Sequence, residues 1–210
     1  MRQIYDTFTT PLGEFSVALN ANGAVIATAF GDLPELRTRF SADELVRDAT
    51  RVAPVRREIE EYFAGTRQEF TVKLLPCGTP FQQKVWTALQ KIPFGESRTY
   101  GQLAATIGNP DAARAVGRAN ATNPVCLLIP CHRVIGGDGS LTGYAFGEKI
   151  KFALLEHEKK YHQTAARSCA DVRRSLNPAR EARIQPAGCR RAKKGPRSQS
   201  PANFEARERV

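Results

Sequence analysis

The stretch Thr99-Tyr100-Gly101-Gln102-Leu103-Ala104-Ala105-Thr106-Ile107-Gly108-Asn109-Pro110-Asp111-Ala112-Ala113-Arg114 carries two helix starts with one stop between them. Thr99 followed three residues later by Gln102 is a capping box, and Leu103, Ala104 and Ile107 give the helix it opens an apolar side up to the stop at Gly108. Asn109-Pro110 opens another helix at once, expected over residues 110–121. Two short helices across a three-residue turn are the pattern of a helix-turn-helix. The second has an unusual composition: Ala112, Ala113, Ala115, Gly117, Ala119 and Ala121 leave its surface small, and Arg114 and Arg118, at i and i+4, share one face. A smooth helix with two guanidiniums suits close approach to a phosphate backbone. A tightly packed helix with two solvated arginines fits the same residues.

Outward from this pair, Thr79-Pro80-Phe81-Gln82 is a second capping box with proline at the first helical position. It opens a helix with an apolar stripe of Phe81, Val85, Ala88 and Leu89, closed by Pro93-Phe94-Gly95, and the single Trp86 reads as core. On the other side, Val125-Cys126-Leu127-Leu128-Ile129 is apolar enough for a buried strand or core segment, and Pro130 leads the chain out of it into Cys131-His132-Arg133-Val134. A thiol beside an imidazole there is a candidate nucleophile, because the thiolate is the reactive form and an adjacent His132 lowers the thiol pKa from about 8.5. A free cysteine is also commonly a small buried hydrophobe, so adjacency alone leaves both readings open. Val134-Ile135, the glycine-rich 136–139 turn and Leu141-Thr142-Gly143-Tyr144 are expected to form a hairpin-like wing. A final helix over residues 147–160 packs Ile150, Leu154 and Leu155 and carries His157 and Glu158.

The first 78 residues read differently. Ile4 to Phe8, then Phe15, Val17 and Leu19, then Ala24 to Phe30 after the Asn22-Gly23 turn, predict an antiparallel meander. A helix is expected from Pro54, with Ile59, Tyr62 and Phe63 on one face, ending at Gly65. Phe70, Val72 and Leu74 alternate as a further strand, and Leu75-Pro76-Cys77-Gly78 reads as a linker. This predicts an α/β unit over 1–78, a helix-turn-helix unit over 79–160, and, from Tyr161, where no period survives, a disordered basic tail over 161–210.

Composition narrows the classes. The net charge of +10 is concentrated: residues 161–210 hold 12 Lys/Arg against 4 Asp/Glu, while 1–78 hold 9 against 11 and 79–160 hold 10 against 6. A DNA-facing module is therefore expected in the second segment. Cys77, Cys126, Cys131, Cys169 and Cys189 are odd in number and irregularly spaced, which fits reduced thiols. No C-x-x-C occurs and His132, His157 and His162 do not pair with cysteines at structural spacing, so no metal or other cofactor is expected. With no apolar run near the roughly 18 residues of a membrane span and no signal-peptide pattern, a cytoplasmic protein without membrane contact is expected.

Taken together, Asn123-Pro124, Ile129-Pro130-Cys131-His132-Arg133-Val134, Arg114-Ala115-Val116-Gly117, and Gly143-Tyr144 with Gly147, Lys151, Leu154-Leu155 and Glu158 resemble the methylated-DNA–protein-cysteine methyltransferases, which reverse O6-alkylguanine damage directly. The resemblance covers about residues 1–160. It implies an N-terminal ribonuclease-H-like α/β domain followed by a winged helix-turn-helix domain, acting as a monomer without cofactor on double-stranded DNA carrying O6-alkylguanine, with O4-alkylthymine a further candidate substrate. It also implies roles. Cys131 is the nucleophile, His132 takes the thiol proton through a bound water, and Glu158 orients and charges the imidazole. Tyr100 bonds the base and Asn123 braces the turn between helix and site. Arg114 enters the duplex where the guanine leaves it; Arg118, Thr99 and Ala113 complete the DNA-facing surface. Val134, Tyr144, Ala145 and Cys126 line the pocket. Three positions depart from the family pattern: many members have proline at Cys126, some use a hydroxyl where Ala145 stands, and the basic tail has no counterpart. A helix-turn-helix sensor whose Cys131 reports alkylation, and a cysteine hydrolase, are the competing classes. The intact Cys131, His132 and Glu158 favour the transferase over the first, and the arginine-bearing helix over the second.

Overall fold

Strand β1 (Gln3–Thr10) alternates strictly between inward Ile4, Asp6, Phe8 and Thr10 and less buried neighbours, the period of a half-buried strand. It pairs antiparallel with β2 (Gly13–Leu19), which pairs antiparallel with β3 (Val25–Phe30), and this is the expected meander. The computed structural model describes residues 2–40 and 44–176, with side chains to residue 163. A short helix α1 (Leu33–Arg37) follows, then β4 (Leu45–Arg47), which pairs parallel with β1 and completes a sheet of order β3-β2-β1-β4.

Helix α2 (Ala49–Phe63) begins five residues earlier than expected from Pro54. Asp48 is the reason: its carboxylate accepts from the Arg51 amide at 3.0 Å and caps the helix there. Val52, Val55, Ile59 and Tyr62 face inward against β1 and β2. The expected strand through Phe70, Val72 and Leu74 does not form. Only Leu74 bridges to Val25, while Glu58 takes the Thr71 amide at 2.8 Å and Phe70 stacks on Tyr62 at 5.5 Å, so side-chain anchors replace a ladder.

Helix α3 (Pro80–Leu89) and helix α4 (Tyr100–Thr106) both start in complete capping boxes, at Thr79 with Gln82 and at Thr99 with Gln102. Between them lies β5 (Arg98–Thr99). The third helix of this region divides: a 3-10 turn over Pro110–Ala112 precedes α5 (Ala113–Ala121), because Asn109 supplies no side-chain cap and the proline tightens the entering turn. The Trp86 indole donates to the Ala119 carbonyl at 2.8 Å and ties α3 to α5.

The anticipated wing is corrected. β6 (Val134–Ile135) pairs parallel with β5, and residues 136–144 form no returning strand; the Gly136 amide to Ser140 carbonyl bond at 2.8 Å closes the turn locally. The tail expectation is corrected as well, for residues 161–176. Helix α6 (Glu148–Leu176) runs through them, Tyr161 packs on the core, and no glycine or proline interrupts 148–176 to end the helix. Residues 177–210 of the expected tail lie outside the described residues. Met1–Cys169 form one unit, whose main core joins Ile4, Phe15 and Ile59 to Trp86, Ile129 and Leu154 on the other side of Gly78. Ala170–Val210 form a second, of which residues 170–176 are described as helix.

Candidate active site

The segment 125–130 is wholly buried, yet it is no strand: the chain doubles back, with Leu128 N–H on the Cys126 carbonyl at 2.9 Å and Ile129 N–H on Val125 at 3.0 Å. Leu127 takes the left-handed conformation at φ 70° to make this turn, a strained choice for a residue other than glycine that persists only when its surroundings fix it. Asn123 does so. Its amide donates to the Ile129 carbonyl at 3.0 Å and, at 3.4 Å, to that of Val125, while its carbonyl accepts from the Val125 amide at 3.0 Å. From the sheet, Thr28 donates its amide to the Pro124 carbonyl and its hydroxyl to the Cys126 carbonyl, each at 2.8 Å.

This turn delivers Cys131, His132 and Arg133 as a single 3-10 turn after Pro130, all three buried. Asn120, from α5, donates to the Cys131 carbonyl at 3.2 Å and fixes the nucleophile's backbone to the second helix of the pair. Glu158, buried in α6, lies 2.8 Å through Oε1 from His132 Nε2. An ionised carboxylate only accepts, so Nε2 carries the proton and Nδ1 presents its lone pair. Nδ1 is buried and has no hydrogen-bond partner among the described residues. Glu158 is further held by Arg133 through Nε at 2.9 Å to Oε2 and Nη2 at 2.9 Å to Oε1, by the Tyr62 hydroxyl at 2.9 Å and by the Gly95 amide at 3.0 Å. Burial opposes its charge, but His132 and Arg133 outweigh that and hold the carboxyl well below the usual carboxylate range.

Burial pushes the Cys131 thiol up, against the sequence expectation that His132 lowers it; Asn123 and the charges of Lys151 and Arg39 work in the opposite direction without prevailing. Burial also pushes His132 down, against the pull of Glu158. At rest the pair is thus a thiol and a neutral imidazole, with a carboxylate ready to stabilise the imidazolium. Cys126 is a different thiol. It is fully buried, accepts from the Thr28 hydroxyl at 3.3 Å and is pushed up strongly by burial and by Cys131, which makes it inert.

Tyr144 and Tyr100 lie near enough to Cys131 for its charge to act on both phenols. Val134 and Tyr144 are buried, whereas Ala145 is exposed. Tyr100, first residue of α4, donates to the Thr142 carbonyl at 3.3 Å, and burial followed by Cys131 raises its pKa, so the phenol keeps its proton. Lys151 is buried too, with Nζ 3.4 Å from the same carbonyl. Arg114 and Arg118 are exposed on α5, and Thr99 and Ala113 are half-buried at the starts of α4 and α5. A groove of about 660 Å³ opens elsewhere, lined among others by Phe70, Trp86, Leu128 and Arg133; Cys131 does not line it, so its size gives it no claim on the chemistry. Sequence reasoning gave no site role to Arg133, Asn120, Arg39 or Tyr62. Arg133 was in view as the third residue of the Cys131 turn; Tyr62 and Arg39 come from the first 63 residues and carry no local signal of the site.

A helix pair presenting two arginines, joined to a buried cysteine backed by an imidazole and a carboxylate, defines a DNA-binding protein with a thiol nucleophile. Residues 80–160 match the family model described as 6-O-methylguanine DNA methyltransferase, DNA binding domain. The chain is 45% identical over 157 residues to the methylated-DNA–protein-cysteine methyltransferase of Methanosarcina acetivorans, covering 73% of this chain and 97% of that protein. It is 42% identical to the constitutive enzyme of the same description from Bacillus subtilis, over 74% of this chain and 94% of the relative. Among solved structures, the Mycobacterium tuberculosis OGT in complex with DNA superposes with a TM-score of 0.69 at 39% identity, covering 77% of this chain and 94% of that one. The chain belongs to the methylated-DNA–protein-cysteine methyltransferases, and its fold is the alkyltransferase fold with its helix-turn-helix region.

Proposed function

We infer that this chain repairs O6-alkylguanine in duplex DNA by moving the alkyl group irreversibly onto Cys131. The observation that carries this reading is the proton path behind the thiol: His132 held through Nε2 on Glu158 at 2.8 Å, with Nδ1 buried and unbonded among the described residues. The thiol loses its proton to His132 Nδ1 through a bound water, and Sγ attacks the alkyl carbon. The S–C bond forms as the C–O6 bond breaks, and guanine leaves with the electron pair. The Tyr100 phenol, kept protonated, hydrogen-bonds the departing base and offsets its charge. Glu158, ionised and held by four partners, offsets the imidazolium.

A stacked base cannot reach a thiol as buried as Cys131, so the guanine must flip out, at a cost of a few kcal/mol. Exposed Arg114 takes its place in the duplex and Arg118 neutralises phosphate, with Thr99 and Ala113 against the backbone. Docking is through the minor groove. Val134 and Tyr144 wall the pocket, backbone amides near Ala145 meet the base oxygen, and Asn123 holds the Leu127 turn that presents the cysteine. We further propose that the sheet and α2 form a ribonuclease-H-like domain ending near Gly78, with the helix-turn-helix domain over 79–160; the mixed sheet order and the linker through Pro76 support it. Incubation with an O6-methylguanine duplex carrying a labelled methyl group, then peptide mapping, tests the function. The label is expected on Cys131. Label left on DNA, or found on another residue, refutes it.

A further inference from the structure

Tyr62 belongs to α2, far in sequence from the reactive turn, and is buried without accessible surface. Phe63, Phe70, Phe94 and His157 surround its ring, with centroids 5.3, 5.5, 5.9 and 5.0 Å away, and its backbone carbonyl meets His157 Nε2 at 2.8 Å. A phenylalanine would satisfy all of that. Packing does not account for the hydroxyl, which donates to Glu158 Oε1 at 2.9 Å. The same oxygen meets His132 Nε2 at 2.8 Å and Arg133 Nη2 at 2.9 Å. A carboxylate oxygen offers about two lone-pair sites, and with Arg133 Nε also 3.1 Å away four donors share what two would fill. We infer that Tyr62 is a positioning residue: its hydroxyl fixes the Oε1 edge of Glu158 and limits how much of that oxygen's charge reaches His132. The inference rests on reading His132 and Glu158 as the base and its partner.

The groups facing the imidazole are few. Glu158 and Lys151 come from α6 and Arg133 from its own turn, while Tyr62, from α2, acts only through Glu158. Lys151 and Arg133 disfavour a proton on the ring and Glu158 favours one, so a donor removed from Oε1 is felt directly by His132. In Tyr62→Phe of the full chain, the NMR titration midpoint of the His132 ring is expected to rise by about half a pH unit to one unit, the scale of one hydrogen bond to a charged group. The wild-type chain under the same conditions serves as the reference, and the acid limb of the single-turnover transfer rate should move up by the same amount. Phe70→Leu, which loosens the ring cage and keeps the hydroxyl, should lower the melting temperature and leave the midpoint in place. Should Tyr62→Phe not fold, 3-fluorotyrosine at position 62, a stronger donor, should lower the midpoint instead. An unmoved midpoint in either Tyr62 variant, or an equal shift in Phe70→Leu, overturns the inference. The titration needs no alkyl transfer, so a wild-type chain that leaves the label on DNA refutes the transfer reading separately.

Discussion

At Cys131 burial works against ionisation, and the neighbouring groups do not reverse it. The thiolate therefore forms when a proton can pass to His132, and Glu158 decides how readily the ring accepts it. Glu158→Gln keeps the shape and removes the charge. The imidazolium then loses its stabiliser, the thiol becomes harder to ionise, and transfer should slow while DNA binding persists, with partial recovery at higher pH. Identical thiol titrations in wild type and variant would remove Glu158 from the network. The same substitution leaves the Arg133 guanidinium buried without its counter-charge, which should lower stability by about 3–5 kcal/mol in a denaturant titration. A carboxyl held below its ordinary 4.5 contributes stability that is complete above that value and is lost as pH falls below it, so wild type should lose stability in acid faster than Glu158→Gln.

Helix α6 supplies Glu158 and Lys151, and Tyr161, just past residue 160, packs against the core. Gly65 ends the turn after α2 at φ 77°, and a side chain there would run into the Tyr161 ring. Gly65→Ala should therefore cost about 1–3 kcal/mol by strain and overpacking, read as a lower melting temperature, and should slow transfer by shifting the helix that holds Glu158. Wild-type stability and rate together would show that Tyr161 does not anchor the helix. The elements legible in the sequence were those with local signals: both capping boxes, the meander and its Asn22-Gly23 turn, and the small-residue helix with its arginines. What the sequence hid depended on distant partners. Residues 70–74 alternate like a strand, but Glu58 and Tyr62 claim them first. The helix beyond residue 160 lacks periodicity and is revealed only by the missing breakers and the Tyr161 contact. In the site, Cys131, His132 and Glu158 lie within reach of a motif, whereas the Tyr62 contact joins residues 96 apart and has no local trace.

For the molecule as a whole, charge and chemistry separate. Among the described residues no helix is long and apolar enough to cross a membrane. Residues 177–210 carry 9 Lys/Arg against 3 Asp/Glu, a charge that suits sequence-independent attraction to phosphates. Ending the chain after Leu176 should flatten the slope of log affinity against log salt and leave the single-turnover rate at saturating DNA nearly unchanged; a large fall in that rate would place the segment in the chemistry. The bond that Cys131 forms sets the stoichiometry. An S-alkylcysteine is a thioether with no good leaving group, and among the described residues the second thiol of the site is not available to cleave it: Cys126 is buried, hydrogen-bonded to Thr28 and pushed away from ionisation. The protein should be consumed as it acts. The most direct measurement is repaired guanine counted against active protein with alkylated duplex in excess. A plateau at about one equivalent is expected, with the alkyl group on Cys131 and none formed by Cys131→Ser, which should still bind DNA; sustained turnover well beyond one equivalent, without an added regenerating factor, would contradict it.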